Sequence, residues 1–331
     1  MLNREAENGF AAASNRTAEK VLIGIDGGGT KTEFILFTET GKILHKRKAS
    51  RSNPNDIGLE HCCSLLAEEI DKLMEIKGSV CSIFAGIAGC STGDNGKLVE
   101  TFLKSRYPSV EIVVDTDGAN ILSCNLNVER SMALICGTGS VLFVRENGRR
   151  HRIGGWGYLF DEAGSAYDIG KDAIRAALAQ LDGMGQETLL TAMLNDALQG
   201  DVWESLNALY QKGKAFIASL APLVFQAYAL GDVVAEGILR KNAARLSLLI
   251  NTAIEKYDCG RHVVACGGLI ENCTEVFLPM IEDTLAEKVE FIFPSVPPVY
   301  GACVESCRIA NIAQGQDFYE TFSQEYWRNE K

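Results

Sequence analysis

Val21–Thr32, VLIGIDGGGTKT, is an apolar run that ends on the carboxylate of Asp26, passes through Gly27, Gly28 and Gly29, and leaves through Thr30, Lys31 and Thr32. Glycines in series let a backbone approach a ligand closely and take turns that a Cβ forbids. The N–H groups of such a turn, with Thr30 and Lys31, suit a phosphate. A Walker A loop sets Gly-Lys-Ser/Thr at the start of a helix, whereas here Thr30 stands where the last glycine should be. The residues that follow alternate as a strand, Thr32, Phe34, Leu36 and Thr38 against Glu33, Ile35 and Phe37. Thr40-Gly41 then turns the chain into KILHKRKA. The loop is therefore the tip of a β-hairpin. With no helix after it, it is not a dinucleotide-binding fingerprint either.

Further strands and helices can be placed outward from this hairpin. Strands are expected at 20–26, 32–38 and 42–49. Leu59, Cys63, Leu66, Ile70 and Leu73 recur at helical spacing up to about Ile76. A buried strand follows at 79–90, a short helix at Lys97–Tyr107, and a strand over 110–120 that ends in acids. Three strands, helix, strand, helix, strand is one half of a ribonuclease-H-like architecture. The pattern restarts with SMALICGTGS (131–140), VLFVRENGRR and the hairpin turn Asn147-Gly148. That recurrence predicts an internal structural repeat. A helical tract runs over 165–258, broken at Asp182-Gly183, Gly200 and Gly231-Asp232. Then come the strand HVVAC, a helix over 273–287, the strand VEFIFP and a final helix over 297–313. The domains predicted are 21–127 and 128–331, the second with a helical insertion at 165–258. The last helix, near 300–313, is placed to pack back on the first domain.

Composition narrows the class. A chain of 331 residues exceeds the usual single core, and 47% apolar content provides for large interiors. A net charge of −11, with basic residues clustered only at His45–Lys48 and Arg149–Arg152, argues against nucleic acid. No apolar run reaches the ~20 residues of a membrane span. Residues 1–20 lack a secretory apolar core and read as a flexible arm. Eleven cysteines, none in a C-x-x-C pair, fall mostly in apolar segments such as those of Cys81, Cys136 and Cys303. They read as buried reduced thiols and a cytoplasmic setting.

Four glycine turns sit at the C-terminal ends of predicted strands: Gly27–Gly29, Gly86–Gly89, Gly137–Gly139 and Gly267–Gly268. Ligands gather at that edge of open α/β sheets, and two of the turns are Gly/Thr-rich hairpins suited to nucleotide phosphates. Asp117 follows VEIVVDT and can point into the cleft as the group that orients an acceptor hydroxyl and takes its proton. Asp115 competes for that role. Asp26, beside the first loop, suits Mg²⁺ held through water. Asn53, in the Pro54-fixed turn SRSNPNDIG, suits sugar hydroxyls. Trp156 in GGWG is either a stacking platform or a core anchor.

DGGGTKT, SNPNDIG, AGIAGC, DTDGAN, CGTGS, GGWGYLFDEAGSAYDIG and ACGGLI, in that order from Val21 to Ala313, resemble the family of N-acetylglucosamine kinases. That family also holds the ATPase activators of benzoyl-CoA reductase and 2-hydroxyglutaryl-CoA dehydratase, within the actin-like ATPase superfamily. The resemblance implies two actin-like domains with a nucleotide and sugar cleft between them. It implies ATP and Mg²⁺ as cofactors, an amino-sugar or hexose substrate, and a homodimer. By residue, Gly28, Gly29, Thr30, Lys31, Gly137, Thr138 and Gly139 would hold phosphates, and Gly267 and Gly268 would lie near the adenosine. Asn53, Asp117, Gly154 and Gly155 would meet the sugar, with Asp117 the base toward its 6-hydroxyl. The family reads G-D-E-G-S after GGWG, and its Asp touches the sugar. Here Asp161-Glu162-Ala163-Gly164-Ser165 displaces the acids by one position, so alignment favours Glu162 and residue type favours Asp161. Glucosamine or another hexose is the alternative acceptor. An activator would need cysteines sharing an iron–sulfur cluster, with Cys90 and Cys124 the nearest candidates.

Overall fold

The computed structural model describes residues 19–77, 79–124 and 130–328. The arm read over residues 1–20 thus lies outside the described residues except for Glu19 and Lys20. Two five-stranded sheets organise the chain. The first holds β1 (Val21–Gly27), β2 (Lys31–Thr38), β3 (Ile43–Ser50), β4 (Val80–Ile87) and β5 (Glu111–Asp115), in the order β3-β2-β1-β4-β5. The second holds β6 (Ser131–Cys136), β7 (Ser140–Glu146), β8 (Arg149–Gly154), β9 (His262–Cys266) and β10 (Glu290–Ile292), in the order β8-β7-β6-β9-β10. In each, the first strand pairs antiparallel with the second and parallel with the fourth. The second sheet therefore repeats the first, as the recurring Gly/Thr hairpin implied.

The first half adds α1 (Pro54–Ile57), α2 (Leu59–Ile76), α3 (Asn95–Arg106) and α4 (Asp117–Leu122). The second adds α5 (Ala166–Leu181), α6 (Leu190–Leu198), α7 (Leu206–Ala218), α8 (Ala221–Ala229), α9 (Val233–Lys256), α10 (Gly268–Asn272) and α11 (Thr274–Glu282). The chain ends with α12 (Pro298–Ile309) and α13 (Gln316–Arg328).

Strand alternation decides which helices cover which face. Ile23, Ile25, Phe34 and Leu36 face α2 and α3 through Cys63, Leu66, Ile70, Val99 and Leu103. Leu22, Ile35 and Phe37, on the opposite face, meet Tyr300, Cys303 and Cys307 of α12 and Phe318, Phe322 and Tyr326 of α13. The outer face of the second sheet carries α5 to α9 and α11 on Met132, Leu134, Leu142 and Val144. On its inner face Ile121 and Leu122 of α4 lie against Ala133, Phe143 and Val264. Two central helices, α4 and α12, thus stand between the sheets.

Two elements depart from the sequence reading. The strand expected over 110–120 stops at Asp115, and Asp117 opens a helix instead. Thr116 is extended, with φ −75° and ψ 155°, and the small residues Gly118 and Ala119 then let α4 pack tightly inside the molecule. The final helix ends at Ile309 rather than 313, and α13 follows it. Charged and polar residues dilute the pattern of α13, but Phe318, Phe322 and Tyr326 recur every four residues and are all buried.

Candidate active site

The glycine turns at the ends of β1, β4, β6 and β9 all fall at the same edge of their sheets. In the β1–β2 turn Gly28 N–H donates to Lys31 O at 2.9 Å, closing a tight hairpin with Gly29, Thr30 and Lys31 exposed at its tip. The β6–β7 turn is one residue shorter. Gly137 N–H donates to Gly139 O at 2.9 Å, and Thr138 is exposed. That turn is also fastened to α5, because Ala166 N–H donates to Gly137 O at 2.9 Å. A capping box between Ser165 and Asp168 starts α5 there. Gly267 and Gly268 lie against Gly137, so the β6–β7 turn and the glycines after β9 adjoin.

Asp26 ends β1 half-buried, and Asn120 Nδ2 of α4 donates to its Oδ1 at 2.6 Å. Asn120 Nδ2 also donates to Gly86 O at 3.2 Å, tying α4 to the end of β4. Burial pushes the Asp26 carboxyl up to about 7; the Asn120 bond opposes this, and the negative charges of Asp117 and Glu33 add to it. Asp117 stands one residue into α4. Its Oδ1 accepts from the Thr116 hydroxyl at 2.8 Å and from Gly118 N–H at 3.0 Å. Burial raises this carboxyl too, against those two bonds. The hydrogen bonds to this carboxylate from neighbouring residues both fall on Oδ1.

Asn53 caps α1, its Oδ1 accepting from Asn55 N–H at 2.9 Å. Gly89, with φ +83°, carries the turn after β4 directly against the Asn53 amide, and a Cβ there would overlap it. Asn55, Thr92 and Asn95 extend this polar rim through bonds of 3.1 Å. On the facing half, Gly154 and Gly155 end β8, and Asp161 lies against Gly154. Asp161 Oδ2 accepts from Trp156 N–H at 3.1 Å, closing the GGWG turn. Glu162 is turned to α5, where Lys171 Nζ lies 3.2 Å and Arg175 Nη1 3.7 Å from its Oε1. Lys171, the largest influence, holds the Glu162 carboxyl below its ordinary range. Trp156 is exposed, with the Arg152 guanidinium 4.0 Å over its ring, so it is not a core anchor. Arg152 Nη1 also donates to Ser91 Oγ at 3.0 Å, joining the GGWG side to the turn after β4.

The structure adds residues that sequence reading passed over. Asn120 was visible only as the end of DTDGAN. Its Oδ1 is buried and, among the described residues, accepts no bond. Arg150 carried no motif, yet it ion-pairs with Asp115 and, at 2.9 Å, with Glu305. Asp115, the competitor for the base, is occupied by that pair.

The N-acetylmuramic acid/N-acetylglucosamine kinase of Clostridium acetobutylicum is 33% identical over 269 residues, which cover 78% of this chain and 88% of that protein. The N-acetyl-D-glucosamine kinase of Dictyostelium discoideum is 28% identical over 319 residues, covering 89% and 98%. The crystal structure of a candidate N-acetylglucosamine kinase from Chromobacterium violaceum matches with a TM-score of 0.68 at 25% identity, covering 86% of this chain and 98% of that one. The paired sheets are those of the actin-like ATPase fold of sugar kinases. The model of the BadF/BadG/BcrA/BcrD ATPase family matches residues 23–306, and this chain belongs to that family.

Proposed function

We propose that the protein transfers the γ-phosphoryl group of ATP to the 6-hydroxyl of N-acetyl-D-glucosamine. The observation that carries this reading is the carboxylate of Asp117. Its Oδ1 is held by two donors and its Oδ2 is left to receive a proton, beside Asp26 and the phosphate turns. In this reading Oδ2 accepts the proton of the sugar hydroxyl as that oxygen bonds to phosphorus, and ADP leaves with the electron pair of the broken bond. A positioned base of this kind contributes roughly 10²–10⁴ in rate, and the remainder comes from alignment and charge neutralisation. The names of the two enzyme relatives support the acceptor.

The backbone turns at Gly28–Lys31 and Gly137–Gly139 would take the phosphates, and Gly267–Gly268 the adenosine. Asp26 suits a magnesium ion held through water: it is an oxygen donor crowded by the charges of Asp117 and Glu33, a repulsion that a divalent cation relieves. Magnesium supplies charge neutralisation on the transferring phosphoryl group. Asn53, Gly154 and Gly155 would hold the sugar. Asp161 fits better than Glu162, because Glu162 is engaged by Lys171 and Arg175.

The exposed apolar surface that Leu159 and Phe160 form with Leu248 of α9 supports a homodimer. The free cysteines support the cytoplasm as the setting. Among the described residues no helix is long and apolar enough to cross a membrane.

The buried thiols favour the kinase over an iron–sulfur activator. Cys90 and Cys124 are both buried, in the separate interiors on opposite faces of the first sheet, where neither can share a cluster with a second copy of the chain. Anaerobically purified protein should be colourless and free of iron. The decisive assay measures ADP release and the sugar phosphate formed from N-acetylglucosamine, N-acetylmuramic acid, glucosamine and glucose. N-acetylglucosamine is expected to give the highest kcat/KM. Equal or better turnover of glucosamine or glucose would overturn the assignment.

A further inference from the structure

Thr116 caps the N-terminus of α4 with extended backbone, where a threonine side chain ordinarily accepts from an N–H two or three residues on. It makes no such cap. Its hydroxyl donates sideways to Asp117 Oδ1 at 2.8 Å instead, at the expense of helix stability. Behind it, Asp115 Oδ1 accepts from Thr116 N–H at 2.7 Å, and Asp115 Oδ2 is ion-paired with Arg150 Nη1. Arg150 belongs to β8 of the second sheet, whereas Asp115 ends β5 of the first. The other fork of Arg150, Nη2, reaches Glu305 Oε2 of α12 at 2.9 Å. Glu305 is itself held by Arg145 of β7 at 2.8 Å, by Arg308 at 2.6 Å and by the Ser123 hydroxyl. A continuous chain of polar contacts therefore runs from the second sheet to the carboxylate of Asp117.

We propose that Thr116, Asp115 and Arg150 are positioning residues for Asp117, and that the Arg150–Asp115 pair ties the aim of the base to the placement of the two sheets. The inference rests on Asp117 being the base, as proposed above. A carboxylate free to rotate presents either oxygen to the acceptor in many orientations. With Oδ1 fixed by Thr116 and Gly118, only Oδ2 remains, and a small misplacement of a reacting group costs a large factor in rate. Because Arg150 and Asp115 stand on different sheets, the base is aligned when the two halves are placed as they are here. That arrangement holds proton abstraction back until the cleft has the right shape around its acceptor.

The test uses the full chain with Thr116→Val, Thr116→Ser, Asp115→Asn and, as reference, Asp117→Asn. Steady-state kinetics with ATP, magnesium and N-acetylglucosamine are read beside the melting temperature. Thr116→Val keeps the side-chain shape and removes the hydroxyl. It should lower kcat about ten- to a hundred-fold, the size of a lost hydrogen bond to a charged group, with both KM values within about two-fold of wild type. Thr116→Ser restores the donor and should recover kcat to within about three-fold. Asp115→Asn should lower kcat in the same way and add little to Thr116→Val, because the residues act as one unit. Wild-type kcat in Thr116→Val while Asp117→Asn is inactive would overturn the positioning role alone. So would a Thr116→Ser variant as slow as Thr116→Val, or losses in kcat that only follow losses in melting temperature. Full activity in Asp117→Asn would overturn the base assignment itself.

Discussion

Asn120 Nδ2 donates to Asp26 Oδ1 at 2.6 Å, joining a central helix to the end of the first strand across 94 residues of sequence. The bond favours the charged carboxylate, but burial and the nearby charges of Asp117 and Glu33 outweigh it and push Asp26 up to about 7. The fold thus holds a carboxyl at the end of the first strand whose charged form is disfavoured.

Asp26→Asn should stabilise the apo-protein while abolishing kinase activity. Asp26 titrates near 4 in the unfolded chain and near 7 in the folded one, so the folded state binds the proton more tightly. The stability this gives wild type is full below pH ~4 and is lost as pH rises through about 7. By pH 8.5 the charged carboxylate costs a few kcal/mol, because each pH unit that separates the two titrations is worth about 1.4 kcal/mol. Thermal melts without nucleotide or metal should show the variant ahead of wild type by several degrees at pH 8.5 and by less at pH 5.5. A variant that melts below wild type at pH 8.5 would sink the idea.

Glu305→Gln should destabilise the protein strongly. Burial opposes the charge on Glu305, but Arg150, Arg145 and Arg308 together outweigh it and hold the carboxyl below its ordinary range. Removing that charge leaves Arg145, almost fully buried and already pushed down to about 10 by burial, without its counter-ion. Breaking such a buried pair costs about 3–5 kcal/mol, to be read from urea unfolding at pH 7.5. Because the Glu305 carboxyl is lowered, its contribution is present above its unfolded titration and lost as pH falls through the folded one. The gap between variant and wild type should therefore narrow in acid.

Two glycines should respond in opposite ways. A Cβ on Gly29 meets nothing within 4 Å, so Gly29→Ala should melt within about 1 °C of wild type, and yet raise the KM for ATP, because the methyl group enters the space proposed for the phosphates. A Cβ on Gly301 of α12 would overlap the carbonyl of Asn120 on α4. Gly301→Ala should lose several kcal/mol by forcing the two central helices apart. Equal melting temperatures for the two variants would refute this division.

Asp161→Asn should raise the KM for the sugar about ten-fold or more, with the KM for ATP little changed. Glu162→Gln should leave both within about two-fold, because Glu162 pairs with Lys171 and Arg175 of α5 rather than with the GGWG turn. The reverse ranking would assign the sugar contact to Glu162.

Local chemistry made much of this protein legible in its sequence. Glycines after an apolar run, followed at once by alternating residues, specify a hairpin turn, and turn geometry depends on neighbours within a few positions. Val21–Thr32 and Ser131–Ser140 therefore announced two matching sheets. Asp26 was singled out because it stands at the edge of such a turn, whereas Asp117 and Asn53 stand at the starts of α4 and α1. Helix α13 was less so, since its buried Phe318, Phe322 and Tyr326 are set among charges.

The sequence by itself determined the glycine turns and the repeated sheet, because these follow from local backbone preference and side-chain chemistry. Only the tertiary structure decided their relations. Asp117 opens a helix rather than ending a strand because Thr116 is extended and α4 packs between the sheets. Asp115 is paired with Arg150, 35 residues further on, and Asp26 is held by Asn120 from a different element. Glu162 is drawn to α5 while Asp161 stays with the glycine turn. Such pairings depend on burial and on where distant elements meet, and no local pattern encodes either.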